Sequence, residues 1–245
     1  MSPTCRPLEA CTSEDCSNPS RINLWPPLTI PYTGNLRALP LALAVFSIFG
    51  SSSDSVDFDR VHPGPPPPGW AITPGETGRW EIRSDSTAPS RPNVIAHVAG
   101  APADTVASQA IFDKSVCYDG DLSVKFKIQD AAPGARNAGI IWRYQDPGNF
   151  YLLRFSVDQS SIVLYRMVNG QPQMVAAGAG KHDLRLGQWY VAKVVFRGDK
   201  VRVLFGNRLL FNASDTGISK PGKVGLRTRA GVTVYFDDFR IDRKG

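Results

Sequence analysis

Arginines sit near the centres of three successive apolar runs: Arg143 in IIWRYQ, Arg154 in YLLRFS and Arg166 in VLYRMV. The guanidinium is a planar fork of donors that matches carboxylates, phosphates and sugar hydroxyls. If each run is a strand, alternation puts Arg143 and Gln145 on the side opposite Trp142 and Tyr144. With parity kept through the hairpins, Arg143, Arg154 and Arg166 line one face, with Gln145 beside them and Tyr144 or Tyr165 near its edge. Such a concave face would take a sugar, guanidinium to hydroxyl or carboxylate and aromatic ring to sugar ring. An outer face whose arginines only keep the sheet soluble fits equally well, because a one-residue slip turns a side chain away.

A second set is acidic: Asp57 and Asp59 near the first strand, Asp237 and Asp238 in the last. Where the first and last strands lie side by side, these carboxylates would gather around one structural Ca²⁺, a hard ion that takes six to eight oxygens. Edge carboxylates paired with Arg60 or Arg240 are the alternative. No other cofactor is called for. The histidines His62, His97 and His182 show no H-x-H or H-E-x-x-H spacing. His182, in Lys181-His182-Asp183, would serve as a general base or simply as a solvated loop residue. Asp119 and Asp121 flank Gly120 as a turn signature first and a carboxylate pair second. No nucleophile elbow or phosphate-cradling loop occurs, so whether the chain is an enzyme stays open.

The elements that must position these residues are strands. The 245 residues include 22 Gly and 20 Pro, and no stretch repeats apolar residues at helical spacing over three turns. Leu122, Val124, Phe126 and Ile128 alternate with Ser123, Lys125, Lys127 and Gln129, the period of a half-buried strand. Strands are predicted next at Ala138–Gln145, Phe150–Val157 and Ser161–Val168, and the four read as a meander. Asn169-Gly170, Gly198-Asp199 and Gly206-Asn207 supply hairpin turns. Trp189–Phe196, Val201–Phe205, Arg208–Phe211, Lys223–Arg227 and Val232–Ile241 follow, with a loop around Gly178–Gly187. Many short strands with frequent turns predict one all-β antiparallel sandwich over 54–245. Trp80 and Trp189 are expected to plug an end of it, and the lone Cys117 to be a small hydrophobe.

Ahead of the domain, Ala38–Gly50 (ALPLALAVFSIFG) is uncharged and too short for the roughly 20 residues of a membrane span. It reads as the core of a signal-like segment over 37–53, with cleavage after Ser52, so the protein would be secreted, periplasmic or at the cell surface. Residues 1–36 then form a disordered or mis-assigned extension, and translation would begin near Leu36. The net charge of +6 is carried by the folded part, where arginines are scattered without the basic run or recognition helix of a nucleic-acid reader.

The runs DGDLSVKFKI, AGIIWRYQDPGNFYLLRF, GQWYVAKVVFRGDKVRVLFGNRLLF and GKVGLRTRAGVTVYFDDFRI resemble a concanavalin A-like lectin/glucanase jelly roll. They are most similar to the 3-keto-disaccharide hydrolase, or family 16 glycoside hydrolase-like, domains, over Val56 to Ile241. The resemblance implies an exported protein with a carbohydrate or glycoside partner, binding it or acting on it as hydrolase or lyase. It departs in one respect: the E-x-D-x-x-E string of family 16 glucanases is missing, and Glu81-Ile82-Arg83-Ser84-Asp85 lacks the last carboxylate. A retaining hydrolase needs two carboxyl groups about 5 Å apart.

Overall fold

The computed structural model describes residues 51–73, 78–100, 107–131, 136–229 and 231–245. The signal-like run and everything before it lie outside the described residues. The strands in chain order are β1 (Ser52–Val56), β2 (Trp70–Ile72), β3 (Arg79–Ser84), β4 (Asn93–Val98), β5 (Ala107–Cys117), β6 (Asp119–Ala131), β7 (Asn137–Asp146) and β8 (Asn149–Ser156). They continue with β9 (Ser161–Val168), β10 (Gln171–Ala177), β11 (Tyr190–Arg197), β12 (Lys200–Phe205), β13 (Arg208–Ser214), β14 (Gly222–Arg229) and β15 (Val232–Lys244). Strand pairing thus begins at Ser52, two residues before the predicted domain start. No helix among the described residues is long and apolar enough to cross a membrane.

All pairings are antiparallel and form two sheets, a jelly-roll sandwich. One has the order β13-β12-β11-β6-β15-β4-β3, with β1 also on β15; the other runs β10-β9-β8-β7-β14-β5-β2. The predicted meander is displaced by one strand, because β6 belongs to the first sheet and the continuous hairpin series is β7 to β10. Two hairpin turns marked in the sequence are present: Asn169 and Gly170, between β9 and β10, have φ of 50° and 79°, and Gly206 and Asn207, between β12 and β13, 56° and 63°, values that Gly and Asn adopt at least cost. The first and last strands do lie side by side, Val56 opposite Phe239 and Ser52 opposite Arg243.

Alternation along each strand sends one set of side chains between the sheets. Leu122, Val124, Phe126 and Ile128 of β6 meet Tyr151, Leu153 and Phe155 of β8 and Val224 and Leu226 of β14 in one buried cluster. Phe126 and Phe155 bridge the layers at 4.4 Å between ring centroids, and Trp142 stacks on Tyr151 at 5.4 Å and Phe196 at 5.9 Å. Burying such rings contributes about 2 kcal/mol each, enough to fix the layers face to face. Trp80 is buried here as expected, its indole donating to Ser108. Trp189 is not at an end: it lies on the outer side of the first sheet, where the Lys127 ammonium sits 5.0 Å from its ring and 5.1 Å from that of Tyr235.

That outer side is strapped by the segment 85–92. Lys127, almost fully buried, pairs with Asp85. Asp237, completely buried, accepts from the backbone N–H and hydroxyl of Ser90, both at 2.9 Å, and from the N–H of Asp238 at 2.7 Å. Burial pushes the Asp237 carboxyl up to about 6 despite these donors. A carboxyl raised in the fold binds its proton more tightly there than in the unfolded chain, so its contribution to stability falls as pH rises from about 4 to about 6. Buried His97, lowered by desolvation, acts in the opposite sense, so the useful quantity is a difference. The stability of wild type relative to Asp237→Asn, from urea unfolding, should drop by up to about 3 kcal/mol across that interval. A difference independent of pH would contradict the assignment.

Candidate functional site

On the side of the second sheet that faces away from the core, alternation leaves a different set. In β14 (GKVGLRTR), Val224, Leu226 and Thr228 are buried inward, and Lys223, Gly225, Arg227 and Arg229 point outward. Cross-strand register lays out the rows of this open face. Gln109, Arg227, Gly139, Arg154 and Val163 are successive neighbours across five strands; Ile111, Gly225, Ile141, Leu152 and Tyr165 form the next row. Ile111, Ile141, Phe150, Leu152 and Met167 make a second apolar cluster, separate from the core, with Tyr144 and Tyr165 packed against it. The two glycines keep the rows low: a Cβ at Gly139 would come 2.7 Å from Leu152 Cδ1, and one at Gly225 2.4 Å from the carbonyl of Ala110.

The result is a cavity of about 230 Å³ whose lining includes Asn137, Arg154, Tyr165, Met167, Arg227 and Arg229, with the β9–β10 turn at its lip. The Arg154 guanidinium lies 5.0 Å from the centroid of Tyr165, and that of Arg227 5.5 Å from Phe150. Arg154 donates to Gln159 through Nη2, whereas its buried Nε has no hydrogen-bond partner. Among the described residues that line the cavity there is no carboxylate. An apolar floor with a ring and a few convergent donors is the usual make-up of a small-molecule site.

Of the five residues the sequence proposes for a ligand, Arg154 and Tyr165 are here; Arg143, Arg166 and Gln145 are not. Arg143 falls in a bulge, where the pairing of β7 with β8 shifts between Trp142 and Asp146 and its φ is 47°. The bulge turns the guanidinium away from the open face. There, 2% exposed, it donates to the carbonyls of Tyr118 (3.0 Å), Ile218 (2.9 Å) and Gly198 (2.6 Å) and lies 4.2 Å from the Tyr118 ring centroid. Gln145 follows it and donates to the carbonyl of Pro221. Arg166 stands opposite Tyr151, whose ring is in the core, so it too points to the inner side. It grips both oxygens of Asp215 at 2.8 Å, while the Tyr151 hydroxyl donates to the same carboxylate at 2.6 Å. Burial and that carboxylate push the Tyr151 phenol up to about 12, so it is a fixed donor and not a base.

The other candidates separate as well. Asp57 accepts from the N–H of Asp59, Asp59 from that of Asn93, Asp237 holds Ser90, and Asp238 pairs with Lys125. The four carboxylates thus turn to four different partners, and among the described residues no three His, Cys, Asp or Glu side chains gather as metal ligands. Asp183 pairs with Arg185 and not with His182. Asp119 caps the N–H of Gly198, and Asp121 pairs with Lys193 and Arg197. The Cys117 thiol, pushed up to about 11 by burial, is no nucleophile. Asn137, Arg227 and Arg229 were missed, although the alternation of GKVGLRTR already places Arg227 and Arg229 together with Lys223.

Beyond the geometry, the family described as the 3-keto-alpha-glucoside-1,2-lyase-like domain matches residues 68–242. No curated protein matches the sequence. Among solved structures, the carbohydrate-binding module CBM66 from Bacillus subtilis is similar at 18% identity and TM-score 0.57, over 71% of this chain and 95% of its own. The cellulose-induced protein Cip1 gives 16% and 0.57, over 77% and 96%. A Bacillus subtilis protein of unknown function with a galectin-like fold gives 12% and 0.51, over 71% and 89%. Such identities establish a shared fold.

Arg143 ties three chain segments and leaves three carbonyls bare if removed. Arg143→Ala should therefore cost about 3 kcal/mol or more in urea unfolding, and Arg143→Lys, which cannot span the same fork, should recover only part. Wild-type stability in the alanine variant would contradict this role.

Proposed function

Since the chain belongs to the 3-keto-alpha-glucoside-1,2-lyase-like domain family, we propose that it binds a glycan or glycoside on the open face of its second sheet. The observation that carries this reading is the cavity in which Arg154 and Tyr165 meet Arg227 and Arg229 over an apolar floor. A sugar ring has apolar C–H faces and a rim of hydroxyls. One face fits the Tyr165 ring and the Leu152–Met167 floor, and the hydroxyls meet the guanidinium donors, including the unpartnered Nε of Arg154. The similar folds include a protein named as a carbohydrate-binding module, which supports the same reading. The apolar run at Ala38–Gly50 supports a place of action outside the cytoplasm.

The family description favours a second reading, elimination or hydrolysis of 3-keto-glycosides. Hydrolysis by paired carboxylates would need two acids, and the described lining residues of this cavity offer arginines, Asn137 and one phenol. Among the described lining residues, Tyr165 is the group from which elimination could draw its base.

Isothermal titration with glycans chosen from an array should show Arg154→Ala and Arg227→Ala each weakening binding about tenfold or more, with Arg208→Ala, exposed on β13, as an unaffected control. Unchanged affinity in both variants would rule out the cavity. Turnover of a 3-keto-glucoside that disappears in Tyr165→Phe while binding persists would establish the enzyme reading instead.

A further inference from the structure

We infer that the ligand of this face is a glycoside with an aromatic aglycone, and that Met174 at the sheet edge takes the aglycone; the inference rests on the carbohydrate reading above and names the other half of the ligand. The described lining of the cavity is divided by strand. Asn137 of β7 and Arg227 and Arg229 of β14 bring polar groups to one side, and β10 brings Pro172 to the other. Met174 continues that apolar side. It stands opposite Tyr165 across the β9–β10 pair, as Pro172 stands opposite Met167, and directly opposed residues of an antiparallel pair share a face. Tyr165 and Met167 belong to the open face, so Pro172 and Met174 belong to it too.

Met174 differs from the other apolar side chains of this face. Ile111, Ile141, Phe150, Leu152 and Met167 are buried, whereas Met174 is 70% exposed, the most exposed large hydrophobic side chain among the described residues. Its neighbours along the strand are engaged within the fold: Gln173 accepts from Arg166, and Val175 packs against the core. A hydrophobic side chain exposed singly needs no explanation. Met174 is not single, because Pro172 and Tyr165 stand beside it on a face that already holds a cavity. The pairing with β9 shifts directly after it, between Met174 and Ala176, and bulges of this kind at sheet edges re-aim side chains. Its thioether is flexible and polarizable and favours contact with the edges of aromatic rings, which selects an aryl group over an alkyl one. A sugar whose hydroxyls meet Arg154 and Arg227 thus has an apolar flank next to it, and an aryl glycoside uses both. Because β10 is the last strand of its sheet, an aglycone larger than one ring runs out over the edge.

The test uses the full chain and the phenyl and methyl glycosides of glucose and galactose, both anomers of each, with phenol alone as a further probe. Calorimetry should show, for at least one sugar, the phenyl glycoside bound about tenfold tighter than the methyl glycoside. Met174→Ser should bring the two affinities together, Met174→Leu should keep most of the difference, and Arg154→Ala should weaken both glycosides alike. The side chain is exposed, so both Met174 variants should unfold in urea as the wild type does. Equal affinities for phenyl and methyl glycosides overturn the aglycone site and leave the carbohydrate site standing. Binding of an array glycan with no binding of any phenyl glycoside does the same. A phenyl preference that survives Met174→Ser overturns the assignment to Met174. Phenol bound as tightly as the phenyl glycoside, or no binding of any glycoside or glycan, overturns the underlying carbohydrate reading itself.

Discussion

The placement of the arginines on the second sheet follows from one constraint, the two-residue alternation of side chains, and from the break in pairing at Arg143. β8, and β14 from Val224 onward, keep the alternation, so Phe155 and Val224 enter the core while Arg154 and Arg227 stand outside it. β7 loses register at Arg143, and its guanidinium is carried across to the carbonyls of Tyr118, Gly198 and Ile218. The bulge thus divides the arginines into a structural tie and a surface group. Gly222 permits it: a Cβ there would lie 2.5 Å from the carbonyl carbon of Arg143 and 2.6 Å from the oxygen of Tyr144.

The two sheets use their outer sides differently. On the first, the segment 85–92 is fastened by Lys127 to Asp85 and by Ser90 to Asp237, so its charges are consumed within the fold. A buried pair of that kind contributes more to specifying one arrangement than to net stability. On the second, the apolar cluster of Ile141, Phe150, Leu152 and Met167 is buried, the arginines stand at its border, and no strap of this kind crosses it among the described residues. Donors beside a dry floor interact more strongly with a ligand than the same donors in open water. The proposed binding face is on the second sheet because the cavity with its arginines and Tyr165 lies there.

The sandwich was legible in the sequence because its signals are local. Alternation from Leu122 to Ile128 and turn residues such as Asn169-Gly170 appear in the structure where they were read. What failed was long range. β6 was read as the first strand of a meander, but nothing local distinguishes a hairpin from a crossing to the other sheet. The bulge at Arg143 depends on close packing against Gly222, which lies in a strand remote in sequence, so the predicted row of three arginines reduced to Arg154 alone. Arg227 and Arg229 could have been found by applying to GKVGLRTR the alternation applied to AGIIWRYQ. The four aspartates expected at one calcium site do not gather, for a related reason: neighbouring strands bring backbones together, and the side chains turn to nearer partners.

On the glycan-binding reading the ligand occupies the open face of the second sheet. Amide chemical-shift changes during titration of the uniformly labelled domain with a bound glycan test it most directly. Changes are expected at Gly139, Arg154, Tyr165, Arg227 and Arg229, with Lys127, Trp189 and Tyr235 on the other sheet unaffected. Changes confined to the first sheet, or to the tie around Arg143 and Ile218, would contradict it.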